Sequence, residues 1–358
     1  MKEIEKMAVL DQQTKRMQTQ LPSNQRIKDC LATNYSISAD MLTQLPLGAD
    51  IHAAVYRAQT KDHSYFVKLK RSCTHQLGIS ILKLLEKAGI QQIIPPINTT
   101  QGGITQQIND FTLIVYPFIE GQDGFGRCLT EKQWITLGKA LKQVHEFHLP
   151  RDVREQFRQE TFSSKWREVV KSLYIHIESE KTRDAVASNF VKFMKDSEPL
   201  ILQLVDQAEK IGQQIQNQSP QFVLCHSDIH AGNVFIDKND VLYIVDWDDP
   251  ILAPKERDLM FIGGGVGSVW NNSNEEKLFY QGYGKTEVDT TVLAYYRLER
   301  IVEDIAEYSN ELLFTESGDK TKSKMYDHFL AMFEPNGVVD IAFKTAERMD
   351  RSLVKGDS

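Results

Sequence analysis

The sequence predicts an α+β protein in which a small, strand-rich N-terminal lobe precedes a larger, mostly helical C-terminal lobe. Three observations favour this fold class. The chain has 358 residues, which suits two lobes better than one small domain. Short apolar runs separated by polar turns recur between Ala53 and Pro117, as expected of antiparallel strands. From Leu129 onwards apolar residues recur at helical spacing instead, as at Trp134 and Leu137.

The N-terminal half shows alternating strand and helix signals. Residues 1–26 are polar and rich in glutamine, and we treat them as an extension without assigned chemistry. The elements predicted after it are a helix at Ile27–Tyr35, strands at Ala53–Ala58 and Tyr65–Lys70, a helix at Gln76–Ala88, and strands at Gly103–Gln107 and Phe111–Pro117. Because side chains alternate along a strand, Lys68 and Lys70 should lie on the same face.

The C-terminal half is predicted to be helical. A capping box at Thr130–Gln133 begins its first helix. Asp258 precedes an apolar segment and is predicted to cap another helix. Further helices are predicted at Ile201–Ile215 and Leu293–Ala306. The predicted division of the chain is an extension at 1–26, an N-lobe at 27–117, a linker at 118–121, a C-lobe at 122–349 and a polar tail at 350–358.

The stretch from Val223 to Asp249 contains a predicted β-hairpin. Its apolar runs, Val234–Ile236 and Val241–Val245, flank a turn-like segment at Lys238–Asp240. A polar loop precedes the hairpin and an aspartate follows it. Because a hairpin brings its two ends together, polar residues on either side of it should converge.

The residues expected to converge are Asp228, Asn233 and Asp246. Two carboxylates and an amide make a hard, oxygen-rich site, which suits Mg²⁺ bound together with a phosphate. The order and spacing of the polar residues resemble the catalytic hairpin of protein kinases, His-x-Asp-x-x-x-x-Asn followed by a strand and an aspartate. His230 follows Asp228 by two residues. This spacing resembles the aminoglycoside phosphotransferase branch of the bilobal protein-kinase-like fold.

Two other interpretations of the loop stay open. His226, Asp228 and His230 would provide three ligands on one side of an extended chain, as in a hydrolytic metal site, but that leaves Asn233 and the hairpin unexplained. The second alternative is a structural polar cluster, or a kinase-like protein that binds nucleotide without turnover.

The chain from about Ile27 to Lys344 resembles the spectinomycin phosphotransferases, a branch of the aminoglycoside phosphotransferase family. The stretches that carry this resemblance are Tyr65–Lys70, Tyr116–Ile119, Phe162–Val169, Val223–Asn233, Ile244–Trp270 and Tyr295–Ile305. The resemblance implies ATP-dependent phosphorylation of a hydroxyl group on spectinomycin, with Mg²⁺; GTP is not distinguished from ATP.

The resemblance also implies roles for individual residues. Asp228 would orient the hydroxyl group and accept its proton, and Asn233 and Asp246 would hold Mg²⁺. His230 would lie near the γ-phosphate or support the hairpin. The nucleotide contacts implied are Lys68 at the α- and β-phosphates, with Lys70 as the second candidate, Gly48 in the phosphate-covering loop, and the backbone groups of Pro117 and Ile119 at the adenine.

The helix after the lysine strand departs from the kinase pattern. Kinases place a glutamate there to pair with the lysine, but the only carboxylate at Gln76–Ala88 is Glu86, near its C-terminal end. Gln76 would be the closest substitute, because its neutral amide oxygen could accept a hydrogen bond from the lysine, which is weaker than an ion pair.

The substrate implied is a small cationic antibiotic. Spectinomycin carries two amines, so carboxylates around the cleft are favoured. The candidate substrate contacts are Asp248, Asp249, Trp270, Glu303 and Asp304. The alternative within the same chemistry is a kinase of choline, homoserine, methylthioribose or a similar metabolite.

Composition excludes several other classes. The net charge of −7 argues against non-specific nucleic-acid binding. The chain has no apolar run of the roughly 18 residues needed to cross a bilayer, and its first residues lack the apolar segment of a secretory signal. The four cysteines are widely spaced, as expected of reduced thiols in a cytoplasmic protein.

Overall fold

The structure, a computed structural model, describes residues 21–46, 53–71, 76–177, 184–266, 269–315 and 319–356. These residues fall into two compact units. The first, the sheet unit, comprises the described residues of Gln13–Arg158 together with His226–Pro250. The second, the helical unit, comprises those of Gln159–Cys225 and Ile251–Ser358. The predicted α+β class is therefore confirmed, whereas the predicted domain limits stay a prediction.

The sheet unit is built on a five-stranded antiparallel sheet of order β1-β2-β3-β5-β4. Its elements, in chain order, are α1 (Asn24–Tyr35), β1 (Met41–Leu45), β2 (Ala53–Gln59), β3 (Ser64–Lys70), α2 (Gln76–Lys87), β4 (Gln106–Ile108), β5 (Phe111–Pro117), β6 (Gly121–Asp123), α3 (Glu131–His145) and α4 (Arg151–Arg154). The returning hairpin adds β8 (Val234–Asp237) and β9 (Leu242–Ile244), which form a second, three-stranded sheet with β6.

An apolar core lies between α1 and the five-stranded sheet. Ile27 and Leu31 of α1 are fully buried together with Leu69 of β3 and Leu113 of β5. The Tyr35 hydroxyl donates a hydrogen bond to the Leu113 carbonyl at 3.3 Å. This packing holds β3, and with it the two lysines of that strand, in a fixed position.

The helical unit is organised around one long helix. Its elements are α5 (Lys165–Ile177), α6 (Ala185–Asp196), α7 (Glu198–Gln216), β7 (Val223–Cys225), β10 (Ile251–Ala253), α8 (Glu256–Leu259), α9 (Ser273–Tyr283), α10 (Thr290–Leu313), α11 (Asp319–Ala331) and α12 (Val338–Gly356). Helix α10 packs against α5, α7, α11 and α12, and β7 pairs with β10 in a two-stranded sheet. Among the described residues, no helix is both long and apolar enough to span a bilayer.

Most predicted elements are confirmed, and the errors have local causes. Helix α1 begins at Asn24 rather than Ile27, because the Ser23 side chain accepts a hydrogen bond from the Arg26 amide at 3.3 Å and caps it. Strand β4 begins at Gln106 rather than Gly103, because a turn bonds the Gly103 amide to the Thr99 hydroxyl at 3.0 Å.

The predicted cap role of Asp258 is wrong. Asp258 lies inside α8, whose N-cap position is occupied by Lys255, and it is fully buried. The helix begins one turn earlier than predicted, just after Pro254, whose carbonyl accepts a hydrogen bond from the Arg257 amide at 2.9 Å.

A buried charge pair crosses the core of the helical unit. Arg167 of α5 donates to a carboxylate oxygen of Glu299 on α10, and also to Glu209 of α7 at 2.8 Å. The side chains of Arg167 and Glu299 are 3% and 7% exposed. Burial raises the pKa of Glu299 to about 7, although the neighbouring Arg167 charge acts to lower it.

Arg167→Met should destabilise the protein by about 3–5 kcal/mol, because it leaves a buried carboxyl without its cation. A carboxyl whose pKa is raised by folding stabilises the fold only at low pH, so the loss should be larger at pH 8 than at pH 5. Chemical unfolding at both pH values measures it. The control is Arg151→Met, since the Arg151 side chain is 93% exposed in its pair with Glu155 and should cost below about 1 kcal/mol. Equal losses for the two variants would contradict the role of the buried pair.

Candidate active site

The hairpin predicted from the sequence is confirmed, and its open end gathers the candidate metal ligands. Strands β8 and β9 are antiparallel, with Val234 opposite Ile244. One residue further out, the Val245 amide donates to the Asn233 carbonyl at 2.9 Å. Asn233 and Asp246 therefore flank the same end of the hairpin, as the argument from spacing predicted.

The opposite end of the hairpin is a closed turn. The Asp237 carboxylate accepts hydrogen bonds from the amides of Asn239 and Val241, both at 2.8 Å. Asp240 adopts a left-handed conformation with φ of 68°. This turn fixes the register that brings the open end together.

The loop before β8 is braced by two histidines. The His226 ring accepts a hydrogen bond from the Asp228 amide at its Nδ1 atom (3.3 Å), so its Nε2 atom is the donor to the Val245 carbonyl (2.9 Å). His226 therefore braces the loop through backbone hydrogen bonds at both ring nitrogens. The His230 Nδ1 atom accepts from the Gly232 amide at 3.0 Å, at the start of a 3₁₀ turn at Ala231–Asn233.

Asp228 and Asn233 are in direct contact. The Asn233 amide nitrogen donates to the Asp228 carbonyl at 2.7 Å and lies 3.3 Å from the Asp228 Oδ2 atom. The His230 Nε2 atom lies 3.4 Å from the same carboxylate oxygen. The Asp228 side chain is nevertheless 42% exposed. Asn233 and His230 thus fix the Asp228 carboxylate on the protein side, and its solvent side is accessible to a ligand.

Ion pairs link strand β3 to the segment after the hairpin. The Lys68 Nζ atom lies 3.0 Å from Asp246 Oδ1 and 2.6 Å from Asp248 Oδ2. The Lys70 Nζ atom lies 2.8 Å from the same Asp248 oxygen. The predicted placement of Lys68 and Lys70 on one strand face is confirmed.

Burial and neighbouring charges shift the pKa values of Lys68, Asp246 and Asp248. Desolvation of its carboxylate by surrounding protein atoms raises the pKa of Asp246, and the nearby Asp248 charge adds to that rise, while Lys68 opposes it. Burial would also raise the pKa of Asp248, but Lys68 and Lys70 outweigh it and hold that pKa well below its usual range. Burial lowers the pKa of Lys68, yet the two carboxylates together raise it above its ordinary value. Lys68 and Asp248 are accordingly charged at neutral pH.

The backbone around Asp246 is unusual and firmly held. Asp246 has a positive φ of 63° and Ser227 one of 77°, conformations that non-glycine residues adopt rarely. The Ser227 hydroxyl donates to the Asp249 carbonyl at 2.9 Å. The Trp247 indole donates to the Ile244 carbonyl at 3.0 Å, and its ring meets that of His226 edge-on with centroids 4.8 Å apart. Such strain, held by surrounding contacts, is typical of functional sites.

The donor set fits a magnesium ion. The Asn233 amide nitrogen is directed at Asp228, which leaves the amide oxygen for a cation. The Asp246 side chain is 51% exposed, so a carboxylate oxygen is accessible from solvent. Two hard oxygen donors suit Mg²⁺ better than Zn²⁺, which prefers softer nitrogen and sulfur ligands.

The predicted adenine-binding segment lies at the end of β5. Pro117 is the last residue of the strand, opposite Tyr65 of β3. The Phe118 amide then bonds to the Ser64 carbonyl at 3.2 Å, and the Arg57 guanidinium lies 4.4 Å from the Phe118 ring centre. Pro117 is exposed and Ile119 is partly exposed, so their backbone groups lie at the surface of the sheet unit.

The remaining predicted residues are placed as follows. Gly48 and the side chain of Gln76 lie outside the described residues. Asp249 follows Asp248 and is exposed. Trp270 is buried in the helical unit with a φ of 62°. Glu303 and Asp304 are half-buried on α10 of that unit, where Asp304 pairs with Arg300 at 2.9 Å. Their predicted roles stay predictions.

Several contacts at this site were missed by sequence reasoning. Neither the bonds from Lys68 and Lys70 to Asp248 nor the bracing by Ser227 and Trp247 was predicted. The sequence did offer a signal for the contacts with the lysines. Asp246 and Asp248 are two residues apart, and so are Lys68 and Lys70 on their strand.

Comparison with known proteins gives consistent relatives. The family model described as the phosphotransferase enzyme family (APH) matches residues 43–286. One similar solved structure is the crystal structure of spectinomycin phosphotransferase APH(9)-Ia in complex with ADP and spectinomycin. Its sequence is 45% identical to this chain, and the two structures match with a TM-score of 0.85 over 91% of this chain and 99% of that chain. The AMP-bound complex of spectinomycin phosphotransferase APH(9)-Ia is 44% identical, with a TM-score of 0.80 over 89% and 98%.

A more distant relative is protein StrN of Streptomyces griseus, 22% identical over 264 residues, which are 71% of this chain and 76% of that protein. The family match and the structural similarity confirm the predicted kinase-like fold and the predicted transfer of a phosphoryl group to oxygen. The chain belongs to the phosphotransferase enzyme family.

Proposed function

We propose that this protein transfers the γ-phosphoryl group of ATP to a hydroxyl group of spectinomycin and so confers resistance to the antibiotic. The observation that carries the proposal is the 45% identity to a spectinomycin phosphotransferase over 99% of that enzyme's chain. The geometry around Asp228 and Asp246 also supports the proposal.

Asp228 is the residue proposed to act on the acceptor. Its carboxylate is 42% exposed, and Asn233 and His230 hold it from the protein side. A carboxylate fixed in this way orients the acceptor hydroxyl and takes its proton as the bond to phosphorus forms. His230 also supports the loop through its bond with the Gly232 amide.

Asn233, Asp246 and Lys68 are proposed to hold the nucleotide phosphates. Mg²⁺ bound by the Asn233 and Asp246 oxygens would neutralise charge on the β- and γ-phosphates. An ammonium group has three donors, and two of those on Lys68 point to Asp246 and Asp248. The third is left for an α- or β-phosphate oxygen. Little covalent chemistry is needed, so positioning and charge stabilisation provide the rate.

The base and the substrate are proposed to contact other parts of the chain. The carbonyl of Pro117 and the amide of Ile119 would bind the adenine, and Gly48 would lie in the loop over the phosphates. The proposed substrate contacts are Asp249, Trp270, Glu303 and Asp304, since carboxylates attract the two amines of spectinomycin. The cytoplasm, where ATP is abundant, is the proposed location of the reaction, in keeping with free thiols at Cys30, Cys128 and Cys225.

A substrate panel tests this proposal. ADP release is measured with ATP or GTP, Mg²⁺ and one acceptor at a time: spectinomycin, a kanamycin-type aminoglycoside, or choline. Spectinomycin alone is expected to support fast turnover. Turnover with choline instead would keep the phosphoryl-transfer chemistry and discard the substrate. Zinc retained through purification, together with no kinase activity, would favour a metal-dependent hydrolase.

A further inference from the structure

The carboxylate partner of the two strand lysines lies on the hairpin side of the site. The only carboxylate of helix α2 is Glu86, which pairs with Lys83 of the same helix at 3.1 Å on the surface. Asp248 instead accepts from Lys68 at 2.6 Å and from Lys70 at 2.8 Å through one oxygen atom, Oδ2. The side chains of Lys68, Lys70 and Asp248 are 13%, 4% and 19% exposed. The three groups thus form a largely buried cluster of two cations and one anion.

Such a cluster is costly to bury unless its members are paired, so its geometry is strongly constrained. Asp248 fixes the end of the Lys68 side chain beside Asp246, whose Oδ1 atom lies 3.0 Å from the same ammonium. Asp248 already accepts hydrogen bonds from two ammonium groups, which disfavours it as the partner of a substrate amine. Its position favours a role toward the nucleotide.

Helix α2 reaches this cluster through its backbone. A Cβ atom added at Gly78 would lie 2.1 Å from the Trp247 carbonyl oxygen and 3.0 Å from that of Asp248. The absence of a side chain therefore allows α2 to pack directly on the segment that carries Asp248. Trp247, 4% exposed, fixes the other side of this segment by packing on the His226 ring.

We infer that Asp248 is a positioning residue that holds Lys68 and Lys70 for the nucleotide phosphates, and that α2 sets its position through the close approach at Gly78. This inference rests on the proposed function in so far as the nucleotide is ATP. It assigns Asp248 to the nucleotide rather than to the antibiotic. The helix acts through the backbone contact, in place of a glutamate side chain of its own.

The test measures nucleotide affinity without any acceptor. Binding of ADP with Mg²⁺ to the full-length protein is followed by calorimetry for wild type and Asp248→Asn. The variant should bind about 10- to 100-fold more weakly, since a charge-assisted contact that orders Lys68 is lost. Glu86→Gln is the matched control on α2 and should bind as wild type does.

Asp248→Asn leaves Lys70 beside a neutral amide, which endangers folding. The double variant Asp248→Asn/Lys70→Met removes the anion together with one of its two cations, so it should fold while Lys68 keeps only its contact with Asp246. Lys70→Met alone is the reference, and the double variant should bind ADP more weakly than this reference does. Gly78→Ala changes neither charge and should weaken binding as well, because its Cβ collides with backbone atoms.

Steady-state kinetics then distinguishes a role of Asp248 toward the nucleotide from a role toward the antibiotic. The inference predicts a higher KM for ATP and a lower kcat, with the KM for spectinomycin unchanged. A higher KM for spectinomycin with wild-type nucleotide affinity would overturn it, as would a folded double variant that binds ADP as tightly as Lys70→Met. If spectinomycin proves not to be the acceptor, the binding measurement is unaffected, so the two hypotheses fail separately.

Discussion

Asp228→Asn is expected to lower kcat by about 10²- to 10⁴-fold, the usual contribution of a positioned general base. The amide keeps the shape of the side chain but cannot take the acceptor proton. The KM for ATP should change little, because the Asp228 backbone carbonyl, which the substitution keeps, still accepts the hydrogen bond from the Asn233 amide at 2.7 Å. Initial rates of ADP release at saturating ATP measure this effect.

A control for this variant is available at the far end of the same hairpin. Asp240 lies in the turn, is exposed and has a φ of 68°, a conformation that asparagine tolerates well. Asp240→Asn removes the same charge and with it a solvent-exposed ion pair with Arg127, so kcat should stay within about twofold, as is usual for surface substitutions. If Asp228→Asn were as active as Asp240→Asn, the assignment of the base would be wrong.

Asp246→Asn is expected to lower kcat/KM by about 10³-fold or more, because it weakens the metal site and removes one anchor of Lys68 at once. Part of the loss should be recovered at high Mg²⁺ concentration, since an amide oxygen still binds the ion weakly. A magnesium titration of the initial rate measures both effects.

The magnesium titration also separates Asp246 from Asp248. Asp248→Asn leaves the proposed metal ligands in place, so its half-saturating Mg²⁺ concentration should stay near that of wild type. A wild-type magnesium dependence in Asp246→Asn would contradict the proposed ligand role of Asp246.

Sequence reasoning succeeded where the interactions are local. Asn233 and Asp246 flank the same end of a short hairpin, and the spacing of apolar runs predicts that hairpin. The capping box at Thr130 is likewise local: its hydroxyl accepts from the Gln133 amide at 3.3 Å. Patterns of this kind depend on a few neighbouring residues and need no knowledge of the tertiary structure.

It succeeded less well where distant segments meet. Lys68 and Asp246 are 178 positions apart in the sequence, and only resemblance to kinases suggested that they share a site. The Asp-x-Asp pattern alone was not enough to predict that Asp248 would bind both lysines, because its burial depends on how β3 and α2 pack on the hairpin. The role of Gly78 was missed for the same reason, since an isolated glycine in a helix has several explanations.

The most direct test of the account compares wild type with Asp228→Asn in one experiment, in which spectinomycin, ATP and Mg²⁺ are incubated and the antibiotic is recovered for mass spectrometry. The account predicts spectinomycin carrying one added phosphoryl group, in amounts equal to the ADP formed, from wild type and only traces of it from Asp228→Asn. ADP formed without phosphorylated spectinomycin, or equal product from both proteins, would contradict it.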